Sequence, residues 1–88
     1  MSSFAVETNP RAVEISVTAD ELVVHLADGR TVTVPLVWFP RLLHASAHER
    51  SDFRLIGEGE YISWPSLDED LSVSGLLRGT RAVLSSEA

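Results

Sequence analysis

Apolar residues recur at every second position in three early runs of the chain. Val13 to Val17 reads Val, Glu, Ile, Ser, Val. Leu22, Val24 and Leu26 share one side of Glu21 to Ala27, and Val32 and Val34 share one side of Thr31 to Val34. A period of two is the mark of a strand with one buried face. Asp28-Gly29 stands between the second and third runs and signals a hairpin. Side-chain matching then selects a register. A two-residue loop would set Val24 against Thr33 and His25 against Val32, which mixes the faces. A three-residue loop, Ala27-Asp28-Gly29, sets Val24 against Val32 and Leu22 against Val34. It builds one apolar face and puts Gly29 in the left-handed position of a bulge, so it is the register expected.

Pro35 ends the third strand. Val37 to Ala45 predicts a short helix with Pro40 in its first turn, Phe39, Leu42 and Leu43 on one face, and Arg41 and His44 pointing out. Ser46-Ala47-His48-Glu49 matches a capping box, so a second helical turn begins at Ser46 and ends near Asp52. Phe53 to Ile56 and Tyr61 to Trp64 flank Gly57-Glu58-Gly59-Glu60. A loop centred on Glu58-Gly59 sets Leu55 against Ile62 and Phe53 against Trp64, again on one face. Pro65 and Ser66 close that strand. Ser72 caps a last helix holding Val73, Leu76 and Leu77, and Gly79 stops it. Asp68, Glu69 and Asp70 fall just ahead of this helix, whose dipole favours negative charge there, and are read as its start. The expectation is an α+β domain over residues 12–79. It has an antiparallel sheet of about five strands in two hairpins and two to three short helices, between flexible ends at 1–11 and 80–88.

Composition narrows this picture. The chain has 88 residues, enough for one domain but close to the lower limit for folding alone. It has no cysteine, so neither a disulfide nor a thiolate metal site can add stability. Pairing into a homodimer is one alternative source. No secretory pattern opens the sequence and no apolar run reaches transmembrane length, so a cytoplasmic protein without membrane contact is expected. Net charge is −6, and every basic residue is Arg. Glu58, Glu60, Asp68, Glu69 and Asp70 lie in a stretch with no base at all. Nucleic acid needs a basic face to displace counterions, so this balance argues against DNA or RNA and for a basic protein partner.

Candidate chemistry is sparse. A calcium loop alternates oxygen ligands and closes with a later Glu, which Asp68, Glu69, Asp70 and Ser72 lack. No phosphate-cradling Gly loop offers a magnesium site. His44 and His48 are four apart and could share zinc on one continuous helix, but the box at Ser46 breaks it. No Ser sits in a nucleophile elbow. No catalytic, cofactor-binding or metal-binding residue is therefore expected. Arg41, Arg50 and Arg54 gather around helix and strand ends. They form either an anion or partner site or internal partners for the acidic 57–70 segment. Trp64 could stack on a base or a partner, but an aromatic in so small a domain also suits the core. The candidate partner-binding set is Arg41, Arg50, Arg54, Trp64, Asp68, Glu69 and Asp70. A ligand-binding or enzymatic cleft between Arg41/Arg50/Arg54 and Asp68/Asp70 is the alternative, and a transcription-associated nucleic-acid-binding role is a third reading.

The order of several segments carries a family likeness. It runs Asp28-Gly29-Arg30, then Trp38-Phe39-Pro40-Arg41-Leu42-Leu43-His44-Ala45, then Arg50, then Leu55-Ile56-Gly57-Glu58-Gly59. Ile62-Ser63-Trp64-Pro65, Leu67-Asp68-Glu69-Asp70-Leu71-Ser72-Val73 and Gly75-Leu76-Leu77 follow. Over residues 12 to 79 the chain resembles the bacterial family named domain of unknown function 2442. The resemblance implies a small α+β fold and no established activity. Genes of this kind often stand beside a small protein called domain of unknown function 4160, which suggests a toxin–antitoxin pair with this chain as the antitoxin. Some relatives carry a helix-turn-helix domain after this one. Here the chain stops at Ala88, which argues against direct promoter binding. Many relatives have His where this chain has Ser63 and Glu where it has Ser74, which weakens any case for chemistry at the Ser63 position.

Overall fold

The computed structural model describes residues 10–79. Residues 1–9 and 80–88, which make up nearly all of the ends expected to be flexible, lie outside the described residues. Strands β1 (Ala12–Val17), β2 (Glu21–Leu26) and β3 (Thr31–Pro35) form an antiparallel meander in the order β1-β2-β3. Leu22 stands opposite Val34 and Val24 opposite Val32, the register of the three-residue loop. One apolar face results, and Ile15, Leu22, Val24, Leu26 and Val34 are buried on it. Gly29 takes φ +97°, and its N–H donates to the Leu26 carbonyl at 3.0 Å.

Val37 to Ala45 does not form one helix. A 3-10 turn at Leu36–Trp38 comes first, and α1 (Pro40–Leu43) starts only after Phe39. Phe39 sits at φ −132°, ψ 83°, outside the helical region. The cause is Pro40: its ring crowds the residue before it out of helical geometry, while Pro itself fits the first helical position. The expected faces survive the break. Phe39 and Leu42 are buried, and Arg41 and His44 are exposed. Helix α2 (Ala47–Ser51) begins with the expected capping box. The Ser46 hydroxyl accepts the Glu49 N–H at 3.1 Å, and the Glu49 carboxylate accepts the Ser46 N–H at 2.8 Å.

A second antiparallel sheet holds β4 (Arg54–Ile56), β5 (Tyr61–Trp64) and β6 (Glu69–Ser72), in the order β4-β5-β6. Leu55 pairs with Ile62, as expected. The described residues thus form six strands in two three-stranded sheets, where about five in one sheet were expected. The difference is β6. Asp68, Glu69 and Asp70 do not start a helix. A 3-10 turn at Pro65–Leu67 reverses the chain, Asp68 takes a left-handed φ of 54°, and Glu69 to Ser72 run back along β5. Leu71 opposite Ile62 anchors this strand in the core. Ser72 ends β6 and also caps α3 (Val73–Arg78), accepting the Gly75 N–H at 3.0 Å. Gly79, at φ +83°, ends α3.

One core joins the two sheets. Trp64, Phe39, Leu22, Leu36, Leu42, Ile62, Val24 and Val73 are its fully buried side chains. At one end the Ala12 N–H donates to the Gly59 carbonyl at 2.7 Å, which ties the start of β1 to the β4–β5 loop.

Candidate functional site

The second sheet positions most of the residues singled out in the sequence. Side chains alternate along β5, so Ile62 and Trp64 enter the core while Tyr61 and Ser63 face outward. Cross-strand register extends this across the sheet. The outward rows are Arg54–Ser63–Asp70 and Ile56–Tyr61–Ser72. Glu69 stands opposite Trp64, on the inward side of β6.

Arg41 and the acidic turn come together. Arg41 projects from α1 and donates through Nη1 to the main-chain carbonyl of Asp68, with the Asp68 carboxylate 3.8 Å away. Arg41 therefore holds the left-handed turn from its carbonyl side. The Asp68 side chain is 99% exposed, so its charge stands in water on a turn whose main chain Arg41 holds. Glu69 is half-buried, and burial pushes its carboxyl above the ordinary value of 4.5. Arg41 opposes that rise, while Asp70 and Asp68 add to it. Asp70 is exposed on the outward row.

Arg50 goes elsewhere. Its guanidinium donates to the carbonyls of Leu42 at 2.9 Å, Leu43 at 2.7 Å and Thr18 at 3.3 Å. Leu42 and Leu43 close α1, where the Leu42 carbonyl also accepts the Ala45 N–H at 3.2 Å, and Arg50 completes that end and fastens α1 to α2 and to the β1–β2 turn. Trp64 joins the same assembly: its indole N–H donates to the Arg50 carbonyl at 2.9 Å. An open groove of about 500 Å³ lies beside this joint, between Ile15 to Ala19 on one side and Ala47, Ser51 and Phe53 on the other. The guanidinium on its wall is already engaged by the three carbonyls.

The seven candidates thus divide. Arg41, Asp68, Glu69 and Asp70 share one corner of the molecule. Arg50 and Trp64 form a structural joint. Arg54 lies on the outward face, across Ser63 from Asp70. His44 ends α1 and His48 belongs to α2, both exposed, and no three His, Asp or Glu among the described residues are grouped to hold a metal ion. Among those residues no helix is long and apolar enough to cross a membrane. Two residues outside the candidate set also shape this surface: Ile56 and Tyr61 are 49% and 48% exposed. Their sequence signal is the hairpin register itself, since setting Leu55 against Ile62 necessarily sets Ile56 against Tyr61 on the other face.

Residues 12–82 match the family described as "Protein of unknown function (DUF2442)". Among solved structures, the fold is similar to a protein of unknown function from Rhodospirillum rubrum ATCC 11170, with a TM-score of 0.75 and 28% identity over 92% of this chain and 100% of that one. It is also similar to an uncharacterised protein from Chromobacterium violaceum, with a TM-score of 0.69 and 20% identity over 84% of this chain and 70% of that one. No curated protein matches. The chain belongs to the DUF2442 family.

Proposed function

We propose that this member of the family is a non-enzymatic protein-interaction module of the cytoplasm whose acidic corner receives a basic partner protein. One observation carries the reading: Arg41 grips the Asp68 carbonyl and presents a carboxylate that is 99% exposed. A charge held out from a fixed turn loses little freedom on binding and gives a partner both orientation and speed of encounter. The net charge of −6 supports a basic partner on the same grounds. The family resemblance suggests where to look, in a small protein encoded by the adjacent gene, and makes the antitoxin half of such a pair the role to test first.

Co-expression of the full chain with the adjacent gene product, followed by pull-down and growth measurement, tests this. A recovered complex and rescued growth are expected for the natural chain. Asp68→Arg is expected to lose both in a chain that still melts cooperatively. Failure to recover a complex, or recovery undiminished by Asp68→Arg, rejects the reading.

A further inference from the structure

We infer that the outward face of the second sheet is self-complementary and pairs two copies of this chain. The inference rests on β4, β5 and β6 and does not need the partner reading. Four side chains define the face. Arg54 and Asp70 lie on one row, on either side of Ser63. Ile56 and Tyr61 lie on the next row, each about half exposed. Ser63 is only 8% exposed, so the middle of the charged row is low and small. Among the described residues neither Arg54 nor Asp70 forms an ion pair or a side-chain hydrogen bond. They sit two strand spacings apart, roughly 10 Å between main chains, and no ion pair joins them across Ser63.

A two-fold axis along β5 resolves all of this at once. Rotation about that axis keeps each residue's height along the strand and exchanges the two edges. It lays β4 of one copy over β6 of the other. Arg54 of each copy then meets Asp70 of its mate, so the interface gains two opposite-charge pairs from one repeated contact. Tyr61 faces its own copy at the centre, and Ile56 closes over the Ser72 end of the opposing row. Sheets packed in this aligned manner sit about 10 Å apart, the span that such side chains fill. A net charge of −6 on each copy opposes association, but that long-range term is screened beyond about 8 Å at physiological ionic strength, while pairs in contact are screened much less.

Sedimentation velocity on the full chain, alone and over a wide concentration range at physiological salt, tests the inference. A concentration-dependent dimer is expected. Arg54→Glu places an acid against Asp70 at both contacts and is expected to weaken the dimer about tenfold or more, and Asp70→Arg likewise. The doubly reversed chain, Arg54→Glu with Asp70→Arg, is expected to dimerise again. Asp68→Arg, outside the row, is expected to leave the dimer intact, which separates this surface from the partner site. A chain that stays monomeric throughout, a dimer indifferent to the single reversals, or a double reversal that fails to restore pairing overturns the inference. Thermal melts of each variant confirm that the fold is retained.

Discussion

Gly29 and Gly59 hold almost the same backbone angle, φ +97° and +98°, but their surroundings differ. A Cβ on Gly29 would meet nothing within 4 Å, whereas one on Gly59 would lie 2.2 Å from the Ala12 carbonyl oxygen. Gly29→Ala therefore carries only left-handed strain, about 1 kcal/mol. Gly59→Ala adds a backbone collision at the bond that joins β1 to the β4–β5 loop, and is expected to cost at least ~3 kcal/mol. Urea unfolding of the two variants checks the contrast. Gly29 was legible in the sequence because its hairpin register is local. Gly59 was legible only as a turn residue, because the strand it touches lies far away in the chain. Glu69 makes a second residue-scale test. Burial raises its folded value above 4.5, so the protonated form favours the fold. That contribution is complete below pH 4.5 and is lost as pH rises through the raised value. Glu69→Gln lacks this loss. It is expected to melt higher than the natural chain at neutral pH, with the difference closing at acid pH in a series of melts.

At the scale of elements, the two early hairpin strands and their register followed from period-two patterning, and the box at Ser46 and the cap at Ser72 followed from local chemistry. Two elements did not. The break at Phe39 was hidden because Pro40 was placed inside the first turn of a longer helix, when its effect on the preceding residue requires it to begin a new one. Strand β6 was hidden because Glu69-Asp70-Leu71-Ser72 has one apolar side chain in four residues. Its pairing with β5 rests on main-chain bonds and on Leu71 alone meeting Ile62, which no periodicity reports. The joint built by Arg50 was equally invisible, since a guanidinium that binds carbonyls leaves no pattern in charge. Arg50→Met removes the donors to three carbonyls from α1 and the β1–β2 turn. It is expected to destabilise by about 2 kcal/mol or more in chemical unfolding. Arg50→Lys is expected to recover little of this, because an ammonium cannot reproduce the guanidinium fork.

Across the whole molecule, the Arg residues that looked like one cluster serve three purposes. Arg50 fastens helices, Arg41 holds the acidic turn, and Arg54, without an ion pair among the described residues, stands on an outward sheet face. The candidate corner was half legible. Its acids were visible as a run without bases, but their fixed presentation depends on Arg41, brought beside Asp68 only by the folded chain. A domain this small has a total stability of only about 5–10 kcal/mol, so one residue in the Arg50 joint or at Gly59 can decide whether the fold exists. Of the corner's acids only half-buried Glu69 is expected to act on stability through its charge, while the charges of exposed Asp68 and Asp70 act on association instead.

The direct test is the affinity of the chain for the proposed basic partner, measured by calorimetry over a range of salt for the natural chain and for Asp68→Arg. Binding that weakens with salt, and at least ~10-fold further with the reversal in a chain that still melts cooperatively, is the expected result. Equal affinity for the two chains would contradict the placement of recognition at this corner.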